Sequence, residues 1–172
     1  RYTLNGVVDS AEEVGANIER MLSASKGDLI YTGGLFLVKT AAYDTPFATT
    51  FNEDDLRGNM QVQARLARRD LFNAVKGLFI SSKNDYQPAD FPPRTSATFE
   101  AQDNNERIWK DIELPYTATE TMAERIAKIE LFETREQISL NFPCGLKALK
   151  VRAGDNIKVT NTRMGWTDKV FK

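Results

Sequence analysis

The side chains in this chain best placed for chemistry are its clustered carboxylates. Two carboxylates side by side can run general acid–base chemistry or hold a hard cation. Glu53-Asp54-Asp55 is the densest such group. A calcium or magnesium site needs several oxygens converging in three dimensions. An EF-hand loop would show alternating acids, a glycine and a distal glutamate, and this segment does not. It therefore reads as a solvated turn or a helix N-terminus. Glu12-Glu13 follows Ser10 with capping-box spacing, and Asp103 and Glu106 border a turn. Histidine is absent, which removes the commonest general base and transition-metal ligand. The single cysteine, Cys144, excludes an internal disulfide. Without a histidine to activate it, Cys144 reads as a small buried or half-buried residue at a strand end. Neither a glycine-rich phosphate loop nor a nucleophile elbow is present. No catalytic, cofactor-binding or metal-ligating residue is assigned, and an enzyme is not expected.

Two other groups point toward surfaces. In an extended chain Arg65 and Arg69 share one side and Arg68 takes the other. The planar guanidinium suits carboxylates at interfaces, so the cluster reads first as a solvated face, next as a subunit-interface or interdomain ion-pair set, and last as a nucleic-acid contact. Tyr86, Phe91, Trp109 and Trp166 could line a carbohydrate or a partner, although core packing is the first reading. The balance of 23 basic and 24 acidic residues leaves a net charge of -1, with no electrostatic drive toward nucleic acid. Apolar runs fall far short of the roughly 20 residues that span a bilayer.

The elements that must position these groups follow from periodicity. At 172 residues the chain is one large domain or two small ones, with 41% hydrophobic and 27% charged residues. Val14, Ile18, Met21, Leu22 and Ser25 mark one face of a helix that Gly27 ends. Leu29–Thr32 and Leu35–Lys39 flank Gly33-Gly34 and predict a hairpin. Phe47–Phe51 and Met60–Leu66 predict further strands, so residues 3–66 read as a helix on a small, mostly antiparallel sheet. A long strand over 71–80 contains Gly77, a candidate bend or bulge. Residues 81–95, with Pro88, Pro92 and Pro93, read as irregular. Ala97–Ala101 and Glu106–Glu113 read as a second hairpin. Thr117-Ala-Thr-Glu120 has capping-box spacing before a helix of about five turns with Met122, Ile126, Ile129 and either Phe132 or Glu133 on its buried side. A strand over 138–142 and two strands bent around Gly154-Asp155 follow. The chain begins at Arg1 and stops in what reads as a strand, as a piece cut from something larger would.

Taken in order, Arg69–Ile80, Trp109–Pro115, Glu124–Lys128, Ala153-Gly-Asp155 and Asn161-Thr-Arg-Met-Gly-Trp166 resemble the hub region of tail-tip proteins of long-tailed bacteriophages, the lambda-type tip attachment family. The resemblance implies an α+β fold, with an α+β lobe over 1–66 and a small antiparallel β-barrel-like hub domain with one long helix over 67–172. It implies a virion structural protein of a phage or prophage tail. Its ring, usually trimeric, closes the tail tube and opens for DNA ejection. The implied partners are copies of itself and other tail-tip, tail-tube and tape-measure proteins, with no cofactor, no membrane segment and no specific nucleic acid. The implied location is the virion tail, assembled in the host cytoplasm. A receptor- or glycan-binding module is the alternative, and a tail-associated cell-wall hydrolase the least favoured.

Overall fold

A computed structural model describes residues 2–40, 47–64, 67, 70–135 and 138–171. The Arg65, Arg68 and Arg69 cluster lies outside the described residues. In chain order the elements are α1 (Val14–Ser23), β1 (Asp28–Thr32), β2 (Leu35–Lys39), β3 (Thr49–Phe51), β4 (Gln61–Gln63) and β5 (Ala74–Ser81). Then come β6 (Gln87–Asp90), β7 (Arg94–Thr95), α2 (Ala97–Gln102), β8 (Trp109–Leu114) and α3 (Glu120–Glu133). The last are β9 (Ser139–Asn141), β10 (Ile157–Asn161) and β11 (Trp166–Phe171). Short 3-10 helices occupy Glu53–Asp55 and Leu146–Lys150. The chain forms two compact units, Arg1–Leu29 with Arg65–Gln137, and Ile30–Ala64 with Ile138–Lys172. These are not the consecutive halves 1–66 and 67–172 expected from sequence. The chain leaves the first unit, builds half of the second, returns, and leaves again.

The first unit is organised on β5. It pairs in parallel with β8 from Ala74↔Trp109 to Phe79↔Leu114, and antiparallel with β6 and β7 on its other side. The helix α3 packs across β5 and β7. Its Met122, Ala123, Ile126, Ala127 and Leu131 meet Val75, Phe79, Phe91, Leu114 and Tyr116 in one core. Positions three and four apart share a helix face, and the alanines let the helix approach the sheet closely. Leu131 is buried, whereas Phe132 stays exposed. Ala24, just past α1, joins this core. Thus α1 belongs with residues 65–137 rather than with the sheets of the first 66 residues.

A polar knot closes one end of this unit. The fully buried Asn73 donates to Asp103 Oδ2 at 2.9 Å and to the Glu106 carbonyl at 2.7 Å, and accepts from the Ile108 amide at 2.8 Å. Arg135 forks onto both oxygens of Asp103 and also donates to the Phe72 carbonyl. Its guanidinium lies 4.9 Å from the Phe99 ring centre. A buried carboxylate requires this kind of complete pairing.

In the second unit β10 lies between β11, antiparallel, and β3, parallel. The strands β4 and β9 form an antiparallel pair, and β1 and β2 another two-stranded sheet. Among the described residues, its large buried apolar side chains are Phe51 and Val159. Phe142 meets Phe51 edge-on at 5.5 Å.

Several sequence expectations change. Residues 97–102 are helix, not a hairpin arm. Ser96 Oγ accepts from the Phe99 amide, and the Ala-x-Phe-x-Ala alternation suits a short helix as well as a strand. The freed strand β8 pairs in parallel with β5 instead. Gly77 marks no bulge, because the β5–β8 register is continuous. It allows close approach: a Cβ there would lie 1.8 Å from the Ile112 carbonyl oxygen. Prolines did not keep 81–95 irregular, since Pro88 sits in β6 opposite Ile80. Only one strand, β10, forms over 151–160, with a turn through 153–154 before it. Neither predicted capping box closes: α1 starts at Val14 after Glu13, and Thr119 precedes α3 without a side-chain cap. Among the described residues the sheets are mixed with helices in an α+β arrangement, and none closes into a barrel.

Candidate assembly surface

Asp55, Glu12 and Asp103 each hold structure together. Asp55 Oδ2 accepts from the Asn52 amide at 2.9 Å and from Lys147 Nζ at 2.6 Å. The Lys147 ammonium, then the Asn52 amide, hold the Asp55 carboxyl below its ordinary pKa. Glu12 pairs with Arg20, and Asp103 is the buried anion of the knot. No group of three metal-ligating side chains occurs among the described residues. Cys144 is half-buried and pairs through its backbone with Leu56. Of the four aromatics, Phe91 is core, Trp166 is half-buried, and Tyr86 and Trp109 are exposed. The indole of Trp109 is flanked by Lys76 and Arg107, 5.7 and 5.8 Å from its ring centre.

What the structure places at the surface instead is apolar. In the hairpin β1–β2, Gly33 and Gly34 take φ of 58° and 81°. These left-handed values suit a two-residue hairpin turn and glycine accepts them freely. Tyr31 and Phe36 pack against each other across it at 4.9 Å. Yet Tyr31, Leu35, Phe36 and Val38 remain 65%, 70%, 73% and 56% exposed. Residues 29–38 carry no charged side chain. A two-stranded sheet cannot bury both of its faces, and successive side chains point to opposite faces. The unbroken run Leu35-Phe-Leu-Val38 therefore leaves apolar surface on each side.

The hairpin base is fixed. Lys39 Nζ donates to the Gly154 carbonyl at 2.7 Å and to Asp155 Oδ1 at 2.9 Å. The Arg152 amide, then Lys39, hold the Asp155 carboxyl below its ordinary pKa. Gly154 has φ of 81°, and a Cβ there would lie 2.3 Å from Ile30 Cδ1. The Gly154-Asp155 turn thus receives the hairpin's base rather than bending two strands.

A second apolar ridge lies on Leu146–Lys150. Three residues per turn stack Leu146 and Leu149 one above the other. They are 84% and 81% exposed. Lys147 points the other way, to Asp55 and to the Phe51 ring at 5.6 Å. No sequence expectation covered this ridge. The hairpin was expected, but its exposure was not, although its lack of polar alternation was a readable signal.

Comparison with known proteins agrees with a tail origin. No curated protein matches the chain. Among solved structures, a chain of the "Virion of native gene transfer agent (GTA) particle" matches with a TM-score of 0.66 at 17% identity. The match covers 84% of this chain and 32% of that one, so this chain spans about a third of its structural relative. At that identity the likeness is one of fold. The family model described as "Putative phage tail protein" matches residues 13–170. Because that match runs through both units, the chain belongs to this phage tail protein family.

Proposed function

We propose that this chain is part of the hub at the distal end of a tail, a ring component that closes the tube and opens for DNA ejection. It acts by packing against neighbouring virion proteins rather than by turnover. The family match over 13–170 carries the tail assignment. The uncharged, exposed hairpin supports an assembly role, because apolar patches beyond a few hundred Å² mark interaction surfaces. In this reading the ring is trimeric in the full-length protein, and tail-tube and tape-measure proteins are its neighbours. The test is gold labelling of an epitope-tagged chain on intact particles. Label at the distal tail end is expected. Label along the tube or on the head would overturn the hub assignment.

A second reading, a receptor- or glycan-binding module, draws on the exposed Trp109 and its two cationic neighbours. It predicts that host cell-wall glycans quench Trp109 fluorescence and that Trp109→Ala abolishes adsorption. Unchanged adsorption by that variant would remove it.

A further inference from the structure

We propose that residues 2–8 form a strap that opens from the first unit while the unit stays folded, uncovering the Tyr116–Met122 end of its core. The strap adds no helical turn and no strand. From Thr3 to Ser10 every residue is exposed, and Leu4, Val7 and Val8 are 50%, 91% and 53% exposed. These apolar side chains therefore do little to hold it down. Tyr2 is half-buried against the core, with the Arg125 guanidinium 5.9 Å from its ring centre. Among the described residues, one backbone–backbone hydrogen bond ties the strap to the unit, from the Asn5 amide to the Tyr116 carbonyl at 3.1 Å. A segment with few buried contacts and few backbone bonds opens at much lower free energy than the core beneath it.

What the strap covers belongs to the core. Tyr116 and Met122 are each 4% exposed. The Tyr116 hydroxyl donates to the Val7 carbonyl at 2.9 Å, and the Thr3 amide donates to Met122 Sδ at 3.3 Å. Between these two points Gly6 lies against the tyrosine ring. A Cβ there would lie 2.2 Å from Tyr116 Cδ1, so a larger residue pushes strap and ring apart. The strap's inner end has a fixed post at Asp9. The Asp9 carbonyl accepts from Nδ2 of the buried Asn17 of α1 at 2.8 Å, and Asp9 Oδ1 accepts from the Ala11 amide at 2.8 Å. Motion therefore begins beyond Asp9. The latch is one hydroxyl on the carbonyl of an exposed residue, and water replaces both partners when it opens. Such an exchange leaves only a small net preference for the closed state. The thioether is a weak acceptor and adds little to it.

The test probes the whole chain with hydrogen peroxide, which passes one oxygen atom to a reachable thioether and leaves water. Peptide mass spectrometry follows Met122 beside Met164, which is 40% exposed and serves as the internal standard. Amide exchange in α3 reports whether the unit itself has opened. In the native chain Met122 should oxidise more slowly than Met164, while the Asn5 amide exchanges at least about 100-fold faster than those of Ile126 and Ala127, after correction for intrinsic rates. Gly6→Val forces the strap off the ring. Tyr116→Phe removes only the latch and keeps the ring in the core. Each should raise Met122 oxidation about tenfold, with Met164 oxidation and α3 exchange unchanged. Parallel rises in Met122 oxidation and α3 exchange would overturn the proposal, because the strap would then be part of the core's cooperative unit. Native Met122 oxidising as fast as Met164 would also overturn it, since nothing would then be covering the sulfur. Unchanged Met122 oxidation in both variants would show that the strap is not its shield. Should Gly6→Val fail to fold, Tyr116→Phe decides the matter alone.

Discussion

The two units handle apolar surface in opposite ways. In the first, α3 covers the β5 sheet, and eleven of the described residues, from Ala24 to Leu131, form one cluster. In the second, Phe51 and Val159 are the large apolar side chains the described residues bury, while Leu35, Phe36, Leu146 and Leu149 face outward. The first unit has a helix long enough to lie across its sheet. Among the described residues, the second has only short 3-10 helices and two- or three-stranded sheets. Small sheets without a covering layer bury too little to close on themselves. The contrast is between one unit closed as a scaffold and another left with apolar surface uncovered.

The sharpest way to break that contrast is to attack the scaffold's knot. Asp103→Ala strands the Arg135 guanidinium among buried groups and removes a partner of Asn73. Loss of one member of a buried pair costs about 3–5 kcal/mol. A fall of that size in urea-unfolding free energy is expected, and a loss below about 1 kcal/mol would mean the knot is peripheral. In the second unit, Phe51→Ala should cost about 3 kcal/mol. Amide exchange should rise in β3 and β10 while the protection of α3 persists. Equal loss in α3 would show that the two units unfold as one.

Acid should loosen the second unit's two mounts. The folded pKa values of Asp55 and Asp155 lie below their ordinary values. Their stabilisation is full above the unfolded aspartate pKa of about 4, and is lost as pH falls through the lower folded values. Both groups are well solvated, so the effect is small and local. Exchange in residues 30–39 and 146–150, corrected for intrinsic rate, should rise between pH 5 and pH 3. Unchanged protection there would refute the mounts. Glu130 behaves similarly in the first unit: burial raises its pKa, but Lys110 and Lys26 together outweigh this and lower it.

The smallest stability effect belongs to the most exposed site. Phe36→Asp should change the unfolding free energy by no more than about 0.5 kcal/mol, as surface substitutions do. It should nonetheless lower the amount of tagged chain recovered in purified particles, measured by immunoblot. A large stability loss would mean that Phe36 is covered within its own chain.

Much of the local structure was legible. The hairpin at Gly33-Gly34, the helices at 14–23 and 120–133 and the strands β5 and β10 lay within or close to the expected segments. Ala97–Ala101 was misread because a five-residue alternation of small and aromatic residues fits either period. Gly77 was read as a bend because sequence records the missing Cβ but not the Ile112 carbonyl that fills its place. Asp103 looked like a turn residue because its partners, Asn73 and Arg135, lie about 30 positions away on either side.

The sequence by itself determined the absence of histidine and of any disulfide, the near-neutral charge, the uncharged run 29–38 and the periodicity of the main helices. These are properties of composition and of neighbours a few residues apart. Tertiary structure decided which segments share a unit, that β5 pairs in parallel with β8, and that Leu35, Phe36, Leu146 and Leu149 stay uncovered. Burial depends on what arrives from distant parts of the chain, and a local pattern carries no record of it. An apolar run reads the same whether its own chain covers it or leaves it for a partner.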